Sequence, residues 1–90
     1  MAWRIELSAT TRKQLRKMGR DDAVAILRYL RQRIATDEDP RRFGDPLRKE
    51  LTGLWKYRVG DWRVICDIQD EKVVVLVLRV GHRGQVYRKP

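Results

Sequence analysis

Covalent and metal bracing are scarce in this sequence: among 90 residues there is one cysteine, Cys66, and one histidine, His82. A lone thiol forms no intramolecular disulfide and excludes a cysteine-rich zinc site. Cys66 lies in the apolar run Trp62-Arg63-Val64-Ile65-Cys66, which points to a small buried hydrophobe rather than a reactive thiol. No run approaches the roughly 18 apolar residues that span a bilayer. The start, Met1-Ala2-Trp3-Arg4-Ile5-Glu6, lacks a basic segment followed by an apolar one. An intracellular, cytoplasmic protein is expected, with no membrane partner. Internal repeats and low-complexity stretches are also missing. The length suits one core, so residues 1–90 are expected to form a single domain.

Acidic residues are in deficit. Lys plus Arg total 21 against 12 Asp plus Glu, a net charge of +9 with a sequence pI near 10.4. On so small a domain this favours a polyanionic partner, with nucleic acid first, then an anionic membrane surface or an acidic protein.

Along the chain, Trp3-Arg4-Ile5-Glu6-Leu7 alternates as a half-buried strand does. Ser8 to Thr11 offer N-caps for a helix ending near Met18, with Gly19 as its stop. A second helix is expected from Asp21 or Asp22. Leu15, Met18, Ala23, Ile26, Leu27, Leu30 and Ile34 supply apolar stripes for a two-helix hairpin. The basic residues on the outer helix faces are expected to steer at most. Thr36 to Pro46 reads as a connecting loop, and Leu47 to Gly53 could hold a turn of helix.

From Leu54 the pattern becomes β. Leu54–Val59, Trp62–Gln69 and Lys72–Val80, separated by Gly60-Asp61 and Asp70-Glu71, predict an antiparallel meander. The apolar third strand should be interior, and a short last strand is expected around Gln85-Val86-Tyr87. The fold class is therefore α+β, with an N-terminal strand and helical hairpin packed on an antiparallel sheet of three to five strands.

If both separators are two-residue turns, Arg58 pairs with Arg63, Lys56 with Ile65, Trp62 with Arg79 and Arg63 with Leu78. Trp55, Tyr57, Val59, Trp62, Val64, Cys66, Ile68, Val73, Val75 and Val77 then face the helices. Lys56, Arg58 and Arg63 share the other face. Opposed like charges such as Arg58 and Arg63 destabilise a sheet unless something compensates. A bound phosphate would do so; so would pairing with Asp61, Asp67 or Glu50, or escape into solvent. Strict alternation puts Arg79 on the apolar face, so either a bulge re-aims it or it caps the core edge. Beyond it, Gly81 and Gly84 would let the tail fold back over the basic face. There His82 is either a general acid–base group or a structural residue. Tyr87 is either a stacking partner for a base or an ordinary edge aromatic.

The run Leu54-Trp55-Lys56-Tyr57-Arg58-Val59-Gly60-Asp61-Trp62-Arg63-Val64-Ile65, then Val73 to Val80, Gly81-His82-Arg83 and Val86-Tyr87-Arg88, resembles the RelE/ParE toxin superfamily, and within it the RelE branch. The likeness covers essentially the whole chain and is most specific in its C-terminal half. It implies a RelE-like, microbial-ribonuclease-type fold and a toxin of a type II toxin–antitoxin system. Such a toxin cleaves mRNA in the ribosomal A site by attack of a 2′-hydroxyl on the adjacent phosphate, without a cofactor or metal.

Carried over by residue, Arg63 would hold the scissile phosphate and Arg83 would stabilise the developing charge. Tyr87 would stack on or orient the nucleotide, and Lys56 would act as base or charge stabiliser. The role of His82 stays open, while Arg58, Arg79 and Arg88 are expected to bind RNA. Leu54 stands where some relatives carry a further lysine, a place Arg58 could fill. The resemblance also implies an acidic antitoxin as partner, besides ribosome and mRNA, and a free toxin that is a monomer. Two other readings remain: a gyrase poison of the ParE kind on the same fold, and an RNA-binding module without chemistry.

Overall fold

In a computed structural model of the chain, residues 2–86 are described. Strand β1 (Arg4–Leu7) leads into helix α1 (Ala9–Lys17) and helix α2 (Arg20–Tyr29), which runs on into a π-helical turn, Leu30–Ile34. A 3-10 turn, Pro40–Phe43, precedes the two-residue strand β2 (Asp45–Pro46), and a second, Lys49–Leu51, lies within the expected helical turn. Strands β3 (Trp55–Val59), β4 (Trp62–Gln69) and β5 (Val74–His82) complete one sheet in the order β1-β5-β4-β3-β2. The meander is antiparallel as expected. The sheet as a whole is mixed, because β1 pairs with β5 in parallel. The helical hairpin carries the chain from β1 at one edge of the sheet to β2 at the other, and the meander then brings β5 back beside β1.

Ser8 caps α1, its hydroxyl accepting from the Thr11 N–H at 3.0 Å. Gly19 separates the helices and is the residue preceding α2. Ile26, Leu30 and Ile34 form the buried stripe against Tyr57, Val64, Cys66, Ile68, Val75, Val77 and Val80 of the sheet. Leu27 does not belong to it. It is 40% exposed, one position off the Ile26–Leu30–Ile34 line, and shares an outer edge with Val24. Cys66 is fully buried, and burial pushes its thiol well above the ordinary range, as for a packing residue.

The β4–β5 connection differs from a two-residue turn. Asp70–Lys72 form a 3-10 turn and Val73 adopts a left-handed conformation, φ 55°, so Gln69 pairs with Val74. Val73 therefore lies in the loop and not on the core face of a strand. The expected Trp62–Arg79 and Arg63–Leu78 pairs are replaced by Trp62–His82 and Arg63–Gly81. The expected last strand is also absent over Gln85 and Val86, which lie in a turn; its third residue, Tyr87, is outside the described residues.

Candidate functional site

The face of the sheet turned away from the helices is built by alternation on β3 and β4. Lys56 pairs with Ile65 and Arg58 with Arg63, both as the sequence predicts. Lys56 and Arg58 stand about 7 Å apart along their strand. Arg58 and Arg63 lie directly across from one another, and among the described residues neither forms an ion pair with a carboxylate.

Arg63 is no solvent-facing cation. It is 7% exposed, and its Nη1 donates to the carbonyls of Gly60 and Trp62, both at 2.9 Å. The β3–β4 turn thus holds the guanidinium in one orientation. The same turn holds Arg83, whose backbone N–H donates to the Asp61 carbonyl at 3.0 Å. Three successive carbonyls, those of Gly60, Asp61 and Trp62, are bonded by two arginines, one through its side chain and one through its backbone.

Arg79 reaches this face through a bulge. Between Ile65 and Cys66 the β4–β5 register shifts by one, so Val77 opposes Cys66, Arg79 opposes Ile65 and Leu78 is the extra residue. Arg79 then belongs to the same row as Ile65 and Lys56. The bulge is pinned from α1. The Val77 carbonyl accepts from the Ser8 N–H at 2.9 Å and the Thr11 hydroxyl at 3.0 Å, and the Leu78 carbonyl accepts from the Ser8 hydroxyl at 2.8 Å. The Val80 N–H donates to Gln14 Oε1 at 2.7 Å. These bonds satisfy the stretch of β5 beyond the end of β1, where a buried edge would otherwise leave polar groups unpaired.

His82 is placed elsewhere. Its partner across the strands is Trp62, the two rings lie 4.5 Å apart, and it lines a hollow with Asp22 and Ala25 of α2. The structure brings Lys56, Arg58, Arg63 and Arg79 to one face and sets Arg83 at its edge, but does not bring His82 there. Tyr87 and Arg88 lie outside the described residues.

The tail does fold back. Gly84 takes the left-handed conformation of its turn, φ 86°, and Val86 packs on Gly81, where a Cβ would stand 3.2 Å from the Val86 Cβ. Arg79 Nη1 donates to the Val86 carbonyl at 3.2 Å. The two glycines thus do different work: one bends the chain, the other makes room for it. The bulge is one of the two alternatives that strict alternation left for Arg79, and the register shift bears it out. The bond from Arg79 to the Val86 carbonyl had no signal in the sequence.

Helices on one face of a mixed sheet and ordered arginines on the other define a small α+β protein with one cationic sheet face. Residues 5–87 match the sequence model of the ParE toxin of the type II toxin–antitoxin system parDE. Toxin RelG of Mycobacterium tuberculosis (strain ATCC 25618 / H37Rv) is 33% identical over 89 residues, covering 99% of this chain and all of the relative. Toxin RelE of the same strain is 29% identical over 86 residues, 96% of this chain and 87% of the relative. Among solved structures, the toxin–antitoxin complex RelBE2 of M. tuberculosis superposes with a TM-score of 0.84 at 30% identity, covering 94% of this chain and 95% of the matched one. A mutant of the E. coli toxin RelE in the free state gives 0.75 at 27% identity, covering 93% and 86%. The chain belongs to the RelE/ParE superfamily of type II toxins, on its RelE branch.

Proposed function

We propose that the chain is a ribosome-dependent endoribonuclease that cuts mRNA in the A site and so arrests translation in the cytoplasm. The observation that carries this reading is the shared face of Lys56, Arg58 and Arg63, with Arg83 bonded to the turn that holds Arg63.

In the reaction the 2′-oxygen loses its proton and bonds to the adjacent phosphorus. The bond from phosphorus to the 5′-oxygen breaks, and that oxygen gains a proton. A 2′,3′-cyclic phosphate and a 5′-hydroxyl result. This chemistry needs alignment and stabilisation of negative charge more than a protein nucleophile. Arg63, fixed through Nη1, can turn its Nε and Nη2 edge to the scissile phosphate as two parallel donors. Arg83 stabilises charge on the leaving side, Lys56 serves as base or as a second cation, and Arg58 binds the backbone. Tyr87 orients the nucleotide and Arg88 adds charge to the tail.

An acidic antitoxin is the proposed partner in the resting state, forming a hetero-oligomer with an otherwise monomeric toxin. The solved RelBE2 complex of M. tuberculosis supports this for a relative. The test is mRNA cleavage on programmed ribosomes. Wild type should cut the positioned message, and Arg63→Ala combined with Arg83→Ala should not while remaining folded. Full cleavage by the double variant would overturn the reading. The matched family model is named for ParE, which keeps a gyrase-directed toxin as the second reading. Linearised DNA with intact message after induction would favour it.

A further inference from the structure

We propose that Arg79 is a positioning residue, which sets the C-terminal tail over Arg63 by holding the Val86 carbonyl, rather than a contact to RNA. The inference rests on the function proposed above and specifies how its site is assembled. Three observations converge on it. The bulge at Leu78, pinned by Ser8 and Thr11, turns Arg79 out of the core and onto the row of Ile65 and Lys56. From there Nη1 donates to the Val86 carbonyl at 3.2 Å. Val86 itself is 4% exposed and seated on Gly81, the residue paired with Arg63.

The Val86 carbonyl belongs to the peptide bond that leads into Tyr87. A side-chain donor on that carbonyl holds the end of the turn that begins at His82. Arg83 lies within the same turn, four residues beyond Arg79. One guanidinium therefore holds the far end of the turn that carries Arg83. Its contribution should be to alignment, so it should affect the cleavage step and not ribosome binding.

The test uses the full chain in three forms. Arg79→Ala removes the donor. Gly81→Ala leaves Arg79 in place but pushes on Val86. Citrulline at position 79, introduced by peptide ligation at Cys66, keeps the Nε–H and one terminal NH2 as donors and removes the charge. Arg79→Ala and Gly81→Ala should each lower the single-turnover cleavage rate by about 10-fold or more, with the half-saturating ribosome concentration unchanged. Citrulline should retain most of the rate. In the free toxin, the Gln85 and Val86 amides, both bonded to the His82 carbonyl, should exchange hydrogen faster in the two alanine variants than in wild type.

The inference fails if Arg79→Ala leaves that exchange unchanged, or if citrulline keeps the wild-type exchange yet loses as much rate as alanine, which would mean that the charge acts on RNA. A wild-type chain that cuts no message overturns the functional reading instead, and the exchange measurement still decides whether Arg79 holds the tail.

Discussion

Arg63 and Gly60 are joined across the β3–β4 turn, the buried guanidinium donating through Nη1 to the carbonyl at 2.9 Å while the same nitrogen bonds Trp62. In the proposed reaction, an arginine held in this way would meet the phosphate with its orientation already fixed, so little order would have to be created at the moment of reaction.

That geometry makes Arg63→Lys a poor replacement. An ammonium keeps the charge but lacks the planar fork, so it cannot bond two carbonyls and still offer paired donors to a phosphate. Cleavage by Arg63→Lys should fall by about 100-fold or more, close to Arg63→Ala, because one fixed donor to a developing anion is commonly worth that much. Single-turnover rates on programmed ribosomes would show it. A lysine variant with near wild-type rates would mean that charge alone suffices.

The pinning of the bulge should be measurable as stability. Thr11 is fully buried with its hydroxyl on the Val77 carbonyl, and Ser8 both caps α1 and bonds the Leu78 carbonyl. Thr11→Val should cost about 1 kcal/mol, since the Val77 carbonyl keeps the Ser8 N–H. Ser8→Ala should cost about 1–2 kcal/mol, losing a cap and a strand contact together. The hydroxyls lie 2.9 Å apart, so the double variant should depart from additivity. Urea midpoints would give all three values, and independent effects would argue against a shared anchor.

Val73 is a β-branched residue at φ 55°, a conformation that strains any side chain with a Cβ. Val73→Gly should relieve that strain by more than the added chain entropy costs, for a net gain of roughly 0.5 kcal/mol. A thermal melt that moved downward would show that the packing of the valine outweighs the strain.

This same loop marks where the sequence stops being legible. The alternation of β3 and β4 around Gly60-Asp61 fixed the Lys56, Arg58 and Arg63 face correctly, because a two-residue turn leaves one register. Asp70-Glu71 looks equivalent, yet the connection takes four residues, with a valine in the position where a glycine would have signalled a longer loop. The bulge then shifted the remainder of β5 by one, so neither the side of Arg79 nor that of His82 could be counted off from the turn. Nor does alternation distinguish a buried arginine from an exposed one. That depended on the carbonyls of Gly60 and Trp62 lying within reach.

The Arg41–Asp70 pair ties the Pro40–Phe43 turn to the β4–β5 loop and should give stability a pH dependence. Two bonds join them, Nη1 to Oδ1 at 3.1 Å and Nη2 to Oδ2 at 2.5 Å. Hydrogen bonding from Arg41 holds the Asp70 carboxyl below its ordinary value of 3.8. A group whose folded value is depressed stabilises the fold fully above its unfolded value, and that stabilisation is lost as pH falls through the folded one. The stability difference between wild type and Asp70→Asn should therefore be constant above about pH 5 and shrink below the ordinary carboxylate range. Because the pair is exposed, added salt should reduce it as well. An NMR titration of the Asp70 carboxyl gives the direct check: Arg41→Gln should move its midpoint upward toward the ordinary value, and an unchanged midpoint would show that the pair does not persist in solution.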